Sequence, residues 1–176
     1  HPLPELSATG NKLLMSAVQT LGTLNALGEH LPDVAPFIYA YIRKEAVYSS
    51  MIEGTQSSLS DLLLYEQGGY NQADTDDVEE VSHYVSAMLL GMERMQDGYP
   101  ISLRLIRELH AELLRRGRGS TKMPGEFRQS QNWIGGTRPG NAAYVPPPPQ
   151  DLMDCMGALE LFINRDDELS PLVKAA

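Results

Sequence analysis

The sequence is poor in the features that mark secreted, membrane-spanning and nucleic-acid-binding proteins. Its 176 residues include one cysteine, Cys155, which excludes a disulfide within the chain and fits a reducing compartment. No apolar run approaches the ~20 residues that cross a bilayer, and no signal peptide opens the chain, so we expect a cytoplasmic protein without a membrane partner. Lysine and arginine total 14 against 23 aspartates and glutamates, and the net charge of -9 argues against nucleic acid as a partner.

Motifs of familiar chemistry are also missing. The sequence contains no Walker loop, no GxGxxG, no HExxH and no paired-cysteine metal site, and no group of serine, histidine and aspartate stands out. Cys155 lies among Leu152, Met153 and Met156, which favours a buried structural thiol over a nucleophile. His110 lies on or near an apolar helical face, where a hydrogen-bonded core histidine is the commoner case. Residue by residue, the sequence indicates a helical domain with no obvious catalytic centre and no metal site.

Apolar residues recur at helical spacing along much of the chain. The first stripe predicts an amphipathic helix that ends at HLPDVAP, and its members are Leu13, Leu14, Ala17, Val18, Leu21 and Leu24. A second helix is predicted over about 36–53, where apolar residues again return every three to four positions.

Capping residues predict three further helix starts. Ser58 is followed three residues later by Asp61, which resembles a capping box with aspartate in place of glutamate. Thr75 opens an acidic stretch that suits the positive end of a helix dipole. Ser102 is expected to cap a helix that stops at Gly117, because glycine takes the left-handed conformation at little cost.

Glycine, proline and asparagine become frequent from residue 124 onward. PGEFRQSQNWIGGTRPGNAAYVPPPP predicts a hairpin whose strands are Phe127–Ile134 and Ala142–Val145. The prolines at 146–149 force an extended segment that cannot pair in the centre of a sheet. Asp151 is expected to cap the next helix. A serine-proline pair at 170–171 predicts another helix start with about one turn after it, so we expect that the sequence is cut there.

Glu53 stands at an unfavourable place in the second predicted helix. Gly54 is the expected stop of that helix, which puts Glu53 in its last turn. The helix dipole presents partial negative charge there and disfavours a carboxylate by about 0.3–1 kcal/mol. An acid at this end either remains in solvent or meets a cation that offsets the cost.

Four signatures in order resemble the Fic family, whose members mostly transfer AMP from ATP to a hydroxyl side chain of a target protein. Ser49, Glu53 and Gly54 give the pattern [ST]-x-x-x-E-[GN], which is followed by LHAELL, GEFRQSQNWIGG and YVPPPP. The resemblance covers nearly the whole chain. It implies a mainly α fold, a Fic-like helical bundle with one β-hairpin, the flap, at about 126–146. It also implies an N-terminal Fic-associated helical region, 1–95, and the N-terminal part of the Fic core, 96–176.

The resemblance assigns roles to two segments. Glu53 would lie on an inhibitory helix and pair with an arginine of the catalytic loop that otherwise holds the γ-phosphate of ATP, and Ser49 could hydrogen-bond near it. The flap backbone at Ile134, Gly135, Gly136 and Thr137 would border the nucleotide and align the target segment by strand-like pairing. A plain hairpin turn that Trp133 anchors to the core is the alternative for the flap, and the residues leave it open.

The sequence departs from the family at one decisive point, since the HPFx[DE]GNGR segment is absent. The histidine base and the main ligands of ATP and Mg2+ belong to that segment, so this chain has no catalytic residue and is expected to be inactive alone. The resemblance thus implies an autoinhibited protein adenylyltransferase represented by its regulatory and target-docking part. Its partners would be a target protein with a hydroxyl side chain and possibly a second copy. The alternative is a non-catalytic helical binding or regulatory module.

Overall fold

A computed structural model describes residues 5–69, 75–117, 119–166 and 169–175, and this part of the protein is mainly helical. Its α-helices are α1 (Ala8–Glu29), α2 (Ala35–Ile52), α3 (Leu59–Glu66), α4 (Thr75–Gln96), α5 (Leu103–Leu113), α6 (Pro149–Asn164) and α7 (Pro171–Ala175), and a 3-10 helix spans Pro139–Asn141. The expected mainly α fold class is confirmed. None of these helices combines the length and the apolar character that a bilayer span requires.

The cap hydrogen bonds predicted at Ser58 and Ser102 are present in the structure. The hydroxyl of Ser58 accepts the N–H of Asp61 at 3.2 Å, and Oδ2 of Asp61 accepts the N–H of Ser58 at 2.8 Å, which completes the capping box. The Ser58 hydroxyl also donates to Oδ2 of Asp61 at 2.6 Å, and chiefly for this reason the pKa of Asp61 is lowered. Ser102 caps α5 by accepting the N–H of Leu105 at 3.2 Å. Local capping chemistry therefore fixes the starts of α3 and α5.

The end of α5 lies before the predicted stop. The helix finishes at Leu113, and Gly117, which has a φ of +74°, belongs to the turn that follows. Leu114 has already left the helical region, with φ -104° and ψ 18°. The N–H of Arg115 then turns back to the carbonyl oxygen of Glu112 at 3.4 Å, which tightens the chain before the glycine is reached.

The hydrophobic core lies where α2, α3 and α4 meet. Its buried members are Ile42, Ala46 and Val47 on α2, Leu62 on α3, and Val78, Val81 and Val85 on α4. Burying a valine, leucine or isoleucine side chain stabilises a fold by about 1.5–3 kcal/mol. These contacts fix the face that α2 turns inward and leave Glu45 and Glu53 exposed.

The chain divides into two compact units. The first comprises the described residues up to Ala40 and from Arg165 onward, and the second comprises Tyr41–Asn164. The predicted apolar stripe of α1 exists, but no residue of α1 is buried, and Leu13 and Leu24 are 65% and 64% exposed. The predicted first helix is therefore present, and its apolar stripe is not buried within the described part of the chain.

α6 corrects two further expectations. It begins at Pro149, not Asp151, because proline suits the first helical position, where its missing N–H costs no hydrogen bond. Cys155 is exposed rather than buried. α6 meets the start of α5 through Glu160, which accepts the N–H of Leu103 at 3.2 Å. Cys155 precedes Glu160 by five residues and so lies on a different face of the helix.

The predicted hairpin strands are largely absent. Within the described residues, a single antiparallel bridge between Ile134 and Tyr144 remains of the two expected strands. The prolines after Val145 cannot donate to a ladder. Side chains bind their carbonyl oxygens instead: Nε2 of Gln131 donates to Pro146 at 3.0 Å, and Arg128 donates to Pro147. Nonetheless, the chain reverses direction as a hairpin would.

Candidate functional site

Glu53 lies in a hydrogen-bonded turn at the C-terminal end of α2. The helix ends one residue earlier, and Gly54, which follows Glu53, has a φ of +100°. The N–H of Gly54 donates to the carbonyl oxygen of Met51 at 3.1 Å. The N–H of Thr55 donates to that of Ser50, also at 3.1 Å. These two bonds form a Schellman motif, so the predicted stop at Gly54 is confirmed and the backbone of Glu53 is held in place.

The Glu53 side chain is exposed. Among the described residues, it has neither a hydrogen-bond donor nor an ion-pair partner. A helix C-terminus carries partial negative charge and does not stabilise a carboxylate. The acid is therefore presented to solvent, where a cation from outside these residues can reach it.

Ser49 binds a different glutamate. Its hydroxyl donates to Oε1 of Glu45, one turn earlier, at 2.7 Å. Glu45 lies on the regular part of the helix at the i-4 position, whereas Glu53 follows the last helical residue. Glu45 is exposed and is the acceptor for Ser49.

Two contacts anchor the surroundings of the Glu53 turn. Nε of Arg43, on the buried face of α2, donates to Oε2 of Glu66 at the end of α3, at 2.8 Å. The N–H of Gln56 donates to Oδ2 of Asp77, in the first turn of α4, at 2.8 Å. The turn therefore has hydrogen-bonded connections both to its own helix and to α4.

The flap turn is organised by one side chain, Asn141. Its Oδ1 accepts the N–H groups of Thr137 and Arg138, each at 3.0 Å. Its Nδ2 donates to the hydroxyl of Thr137 at 3.2 Å. Because these two N–H groups are already bound, they are not available to cradle a phosphate, and the glycine-rich loop gains no support as an anion site.

The two flap glycines have positive φ values of 71° at Gly135 and 68° at Gly136. A Cβ at Gly136 would lie 2.3 Å from the carbonyl oxygen of Asn141, a distance that no side chain can occupy. Trp133 is 40% exposed, so it is not the buried anchor of the alternative interpretation. Ile134 is 65% exposed, and its side chain faces solvent beside the turn.

A groove of about 900 Å³ lies between α5 and residues 121–132, which include the first part of the flap. Its polar and charged lining includes Arg107, His110, Thr121, Lys122, Glu126, Arg128, Gln129, Ser130 and Asn132. Nδ1 of His110 accepts the N–H of Gly125 at 2.9 Å, so the neutral ring carries its proton on Nε2. The expected hydrogen bond of His110 is therefore present, but the residue is half-buried in the groove lining and not part of the core. The groove therefore has several hydrogen-bond donors in its lining, some of them from the flap itself.

His83 was not singled out by its sequence context. It is 2% exposed, and its Nδ1 has no hydrogen-bond partner among the described residues. Its Nε2 lies 3.9 Å from Oε1 of Glu79. Burial lowers the pKa of His83, and the positive charge of Arg115 adds to that effect. The ring is therefore held in its neutral form inside the fold.

The resemblance assigns roles to the Glu53 turn and to the flap, and within the described residues these two segments are not bonded to each other. No hydrogen bond or ion pair joins the Glu53 turn to the flap within the described ranges. The same residues contain no cluster of three histidine, cysteine, aspartate or glutamate side chains suited to a metal ion. The described chain thus presents two separate elements, an exposed carboxylate and a preformed loop.

Sequence reasoning missed two residues that shape these elements. Asn141 could have been suspected, because asparagine in a loop often binds backbone N–H groups nearby. Asp77 accepts a hydrogen bond from the backbone N–H of Gln56, 21 residues earlier in the chain, and no local sequence pattern predicts such a contact.

Comparisons with known proteins find one family at both ends of the chain. Residues 11–93 match the profile described as Fic/DOC family N-terminal, and residues 100–176 match the profile described as Fic/DOC family. The fold is similar to that in the crystal structure of a Fic family protein from Desulfovibrio desulfuricans G20, with a TM-score of 0.73 and 19% identity. The match covers 99% of this chain and 50% of that one, so the chain spans half its length. No curated protein matches the sequence.

Proposed function

This chain belongs to the Fic/DOC family, and we propose on that premise that it is the regulatory and target-docking part of an autoinhibited protein adenylyltransferase. In this proposal the full-length protein moves AMP from ATP to a Ser, Thr or Tyr hydroxyl of a target protein. The observation that carries the proposal is the exposed carboxylate of Glu53, held in a Schellman turn and without an ion-pair partner among the described residues.

ATP is a substrate of the proposed reaction. The target hydroxyl oxygen bonds to the α-phosphorus, the bond from that phosphorus to the bridging oxygen breaks, and pyrophosphate leaves. The hydroxyl proton passes to a histidine of the segment that this sequence lacks. Mg2+ would accompany ATP, but the residues described here do not make up a site for it, and no step in this account depends on them holding it.

Glu53 acts in this proposal by competing with a phosphate for one arginine. The guanidinium of a catalytic-loop arginine binds carboxylate and phosphate oxygens with the same fork of donors, so it cannot serve both at once. A carboxylate about 4 Å from a phosphate charge is also repelled, by roughly 4 kcal/mol at the effective dielectric of a protein surface. ATP whose γ-phosphate is excluded in this way does not adopt the reactive geometry.

The flap supplies the target-docking part of the proposal. Ile134 turns its N–H and its carbonyl oxygen toward Tyr144 and Ala143, at 2.9 Å each. In extended backbone the groups of the preceding residue, Trp133, point to the other edge, where an extended target segment can pair with them. We propose that Ile134, Gly135, Gly136 and Thr137 border both the nucleotide and this segment.

The decisive experiment is Glu53→Gly in the full-length protein. Removal of the carboxylate frees the arginine for the γ-phosphate, so automodification with labelled ATP is expected to rise by about tenfold or more. Unchanged labelling would overturn the inhibitory role.

A matched pair of charge-neutralising variants controls for the loss of one negative charge. Glu53→Gln should activate, whereas Glu45→Gln, two turns earlier on α2 and also exposed, should not. Equal effects of the two changes would mean that net charge, and not the position of Glu53, controls activity.

A second candidate is a non-catalytic binding module, and one observation favours it. α1 exposes its apolar stripe along 22 residues with none buried, as a helix that docks on a partner would. The intact mass of the natural protein separates the candidates. A mass near 19.4 kDa favours the module, and a mass well above it favours the enzyme.

A further inference from the structure

The segment after Glu53, residues 54–57, is held more firmly than a surface connection requires. Gly54 and Thr55 donate to α2 as described above, and Thr55 and Ser57 are only 3% and 6% exposed. Gln56, which lies between those two buried residues, is exposed as a side chain but has its N–H bound to Asp77. Every residue from 54 to 56 therefore has its backbone N–H in a hydrogen bond.

Asp77 differs from its neighbour Asp76 in its bonding and is also less exposed. Both acids lie in the first turn of α4, where the helix dipole favours negative charge. Among the described residues, Asp77 alone of the two accepts a hydrogen bond from another part of the chain, at 2.8 Å from the N–H of Gln56. A carboxylate acceptor makes such a bond charge-assisted and stronger than one between neutral groups.

The body of α2 has a separate anchor. Arg43 and Glu66 form an ion pair whose side chains are 9% and 21% exposed, and the core residues of α2 pack beside Arg43. Loss of the bond to Asp77 would therefore remove the connection of this turn to α4, while α2 and the two bonds from Gly54 and Thr55 to it stayed in place.

We propose that Asp77 is a positioning residue for Glu53: it fixes the direction in which the inhibitory carboxylate leaves α2 by binding the N–H of Gln56. This inference rests on the proposed function of Glu53. An ion pair that must exclude a competing phosphate is favoured when its carboxylate is already held in place, because less conformational entropy is lost when the pair forms. Asp77 acts on the reaction only through that turn and touches no substrate.

The first test compares Asp77→Ala with Asp76→Ala in the full-length protein. Both changes remove one charge from the first turn of α4, but only Asp77→Ala frees Gln56. Automodification with labelled ATP is expected to rise about three- to tenfold for Asp77→Ala, which is less than the full effect of one charge-assisted hydrogen bond because the turn keeps its two bonds to α2. It is expected to stay at the wild-type level for Asp76→Ala.

The same changes are then made in the Glu53→Gly background. Once the carboxylate is gone, its direction has no effect, so Asp77→Ala should add nothing there. A fall in activity in both backgrounds would instead show a merely structural role and overturn the proposal.

Backbone hydrogen exchange of residues 54–57 gives a readout that does not depend on activity. Exchange should speed up by about tenfold in Asp77→Ala and stay unchanged in Asp76→Ala. Unchanged exchange in Asp77→Ala would overturn the positioning role. If Glu53→Gly activates but Asp77→Ala does not, Asp77 has no such role and the proposed function stands. If Glu53→Gly does not activate, the proposed function fails and this inference fails with it.

Discussion

At the scale of single residues, the flap depends on the fit between Asn141 and the glycines before it. The side chain of Asn141 binds Thr137 and Arg138, and its backbone carbonyl lies where a Cβ on Gly136 would be. Two requirements therefore coincide at Gly136, a left-handed backbone and room for a neighbouring carbonyl oxygen. The turn is preformed by side-chain hydrogen bonds, and only one strand bridge supports it.

Gly136→Ala should open this turn. The new Cβ would lie 2.3 Å from the Asn141 carbonyl oxygen at a φ of +68°, so the turn must rearrange. A local cost of about 1–3 kcal/mol is expected. Limited proteolysis within residues 132–145 should accelerate by about tenfold or more, because cleavage follows the population of the open form.

Gly140→Ala is the matched control for that change. Gly140 lies in the same loop, and a Cβ there would meet nothing within 4 Å. Its cleavage rate should match that of the wild type. Equal acceleration in both variants would show that the contact with Asn141 does not hold the turn.

At the scale of secondary-structure elements, α3 shows how a short helix becomes stable. Eight residues are too few for a stable helix in isolation. α3 gains its stability from the capping box at its start and from Leu62, which is fully buried against α2 and α4. Its exposed side contributes little.

Leu62→Ala and Leu64→Ala separate these contributions on one helix. Leu62 is 0% exposed, so its truncation leaves a cavity and should lower the free energy of unfolding by about 2–5 kcal/mol. Leu64 is 49% exposed, and its truncation should cost no more than about 0.5 kcal/mol. Urea denaturation of both variants measures the difference, and similar losses would contradict the position assigned to the core.

The elements that sequence reasoning predicted well are those with local causes. Serine caps at Ser58 and Ser102 and the glycine stop at Gly54 act within a few residues, so their patterns are visible in the sequence. The prediction of two flap strands was wrong because strand pairing needs backbone N–H donors in the partner segment. The prolines after Val145 have no N–H to donate. The prediction of a buried Cys155 was wrong because apolar neighbours in the sequence do not show which face of α6 is covered.

The candidate site divides in the same way. The position of Glu53 at a helix end followed from the helical pattern and Gly54. Its inhibitory role came from the family resemblance and remains a prediction. The hydrogen bond from Gln56 to Asp77 was not predictable. It spans 21 residues and joins two elements whose packing no local sequence pattern defines.

At the scale of the whole molecule, the buried imidazole of His83 makes the free energy of unfolding depend on pH. His83 on α4 is neutral in the fold, and the charged groups that affect it are Glu79 on the same helix and Glu112, Arg115 and Arg116 at the end of α5 and just beyond. Burial is the largest cause of its lowered pKa. In the unfolded chain the ring has its ordinary pKa of about 6.5.

Stability should therefore fall as the pH drops below about 6.5. Between the ordinary pKa and the lowered pKa of the fold, the unfolded chain binds the proton and the folded chain does not, so acid favours unfolding. The loss is at most about 1.4 kcal/mol per pH unit, because one proton is involved. Urea denaturation at several pH values measures it.

His83→Leu should reduce this dependence by removing the proton site. His30→Leu is the control, because His30 is exposed. If the slope of stability against pH is the same in His83→Leu and the wild type, other groups are responsible for it.

The Schellman turn at Gly54 also explains why the last position of the glutamate motif is restricted to two residue types. In [ST]-x-x-x-E-[GN], the last position accepts only the two residue types that most readily tolerate a positive φ, and Gly54 has a φ of +100°. That position therefore encodes backbone shape and no chemistry. A chain that kept the glutamate but placed valine or isoleucine after it would satisfy a search for the acid and yet lack the bend that presents it. Among divergent relatives, the residue after the glutamate is thus as informative as the glutamate itself.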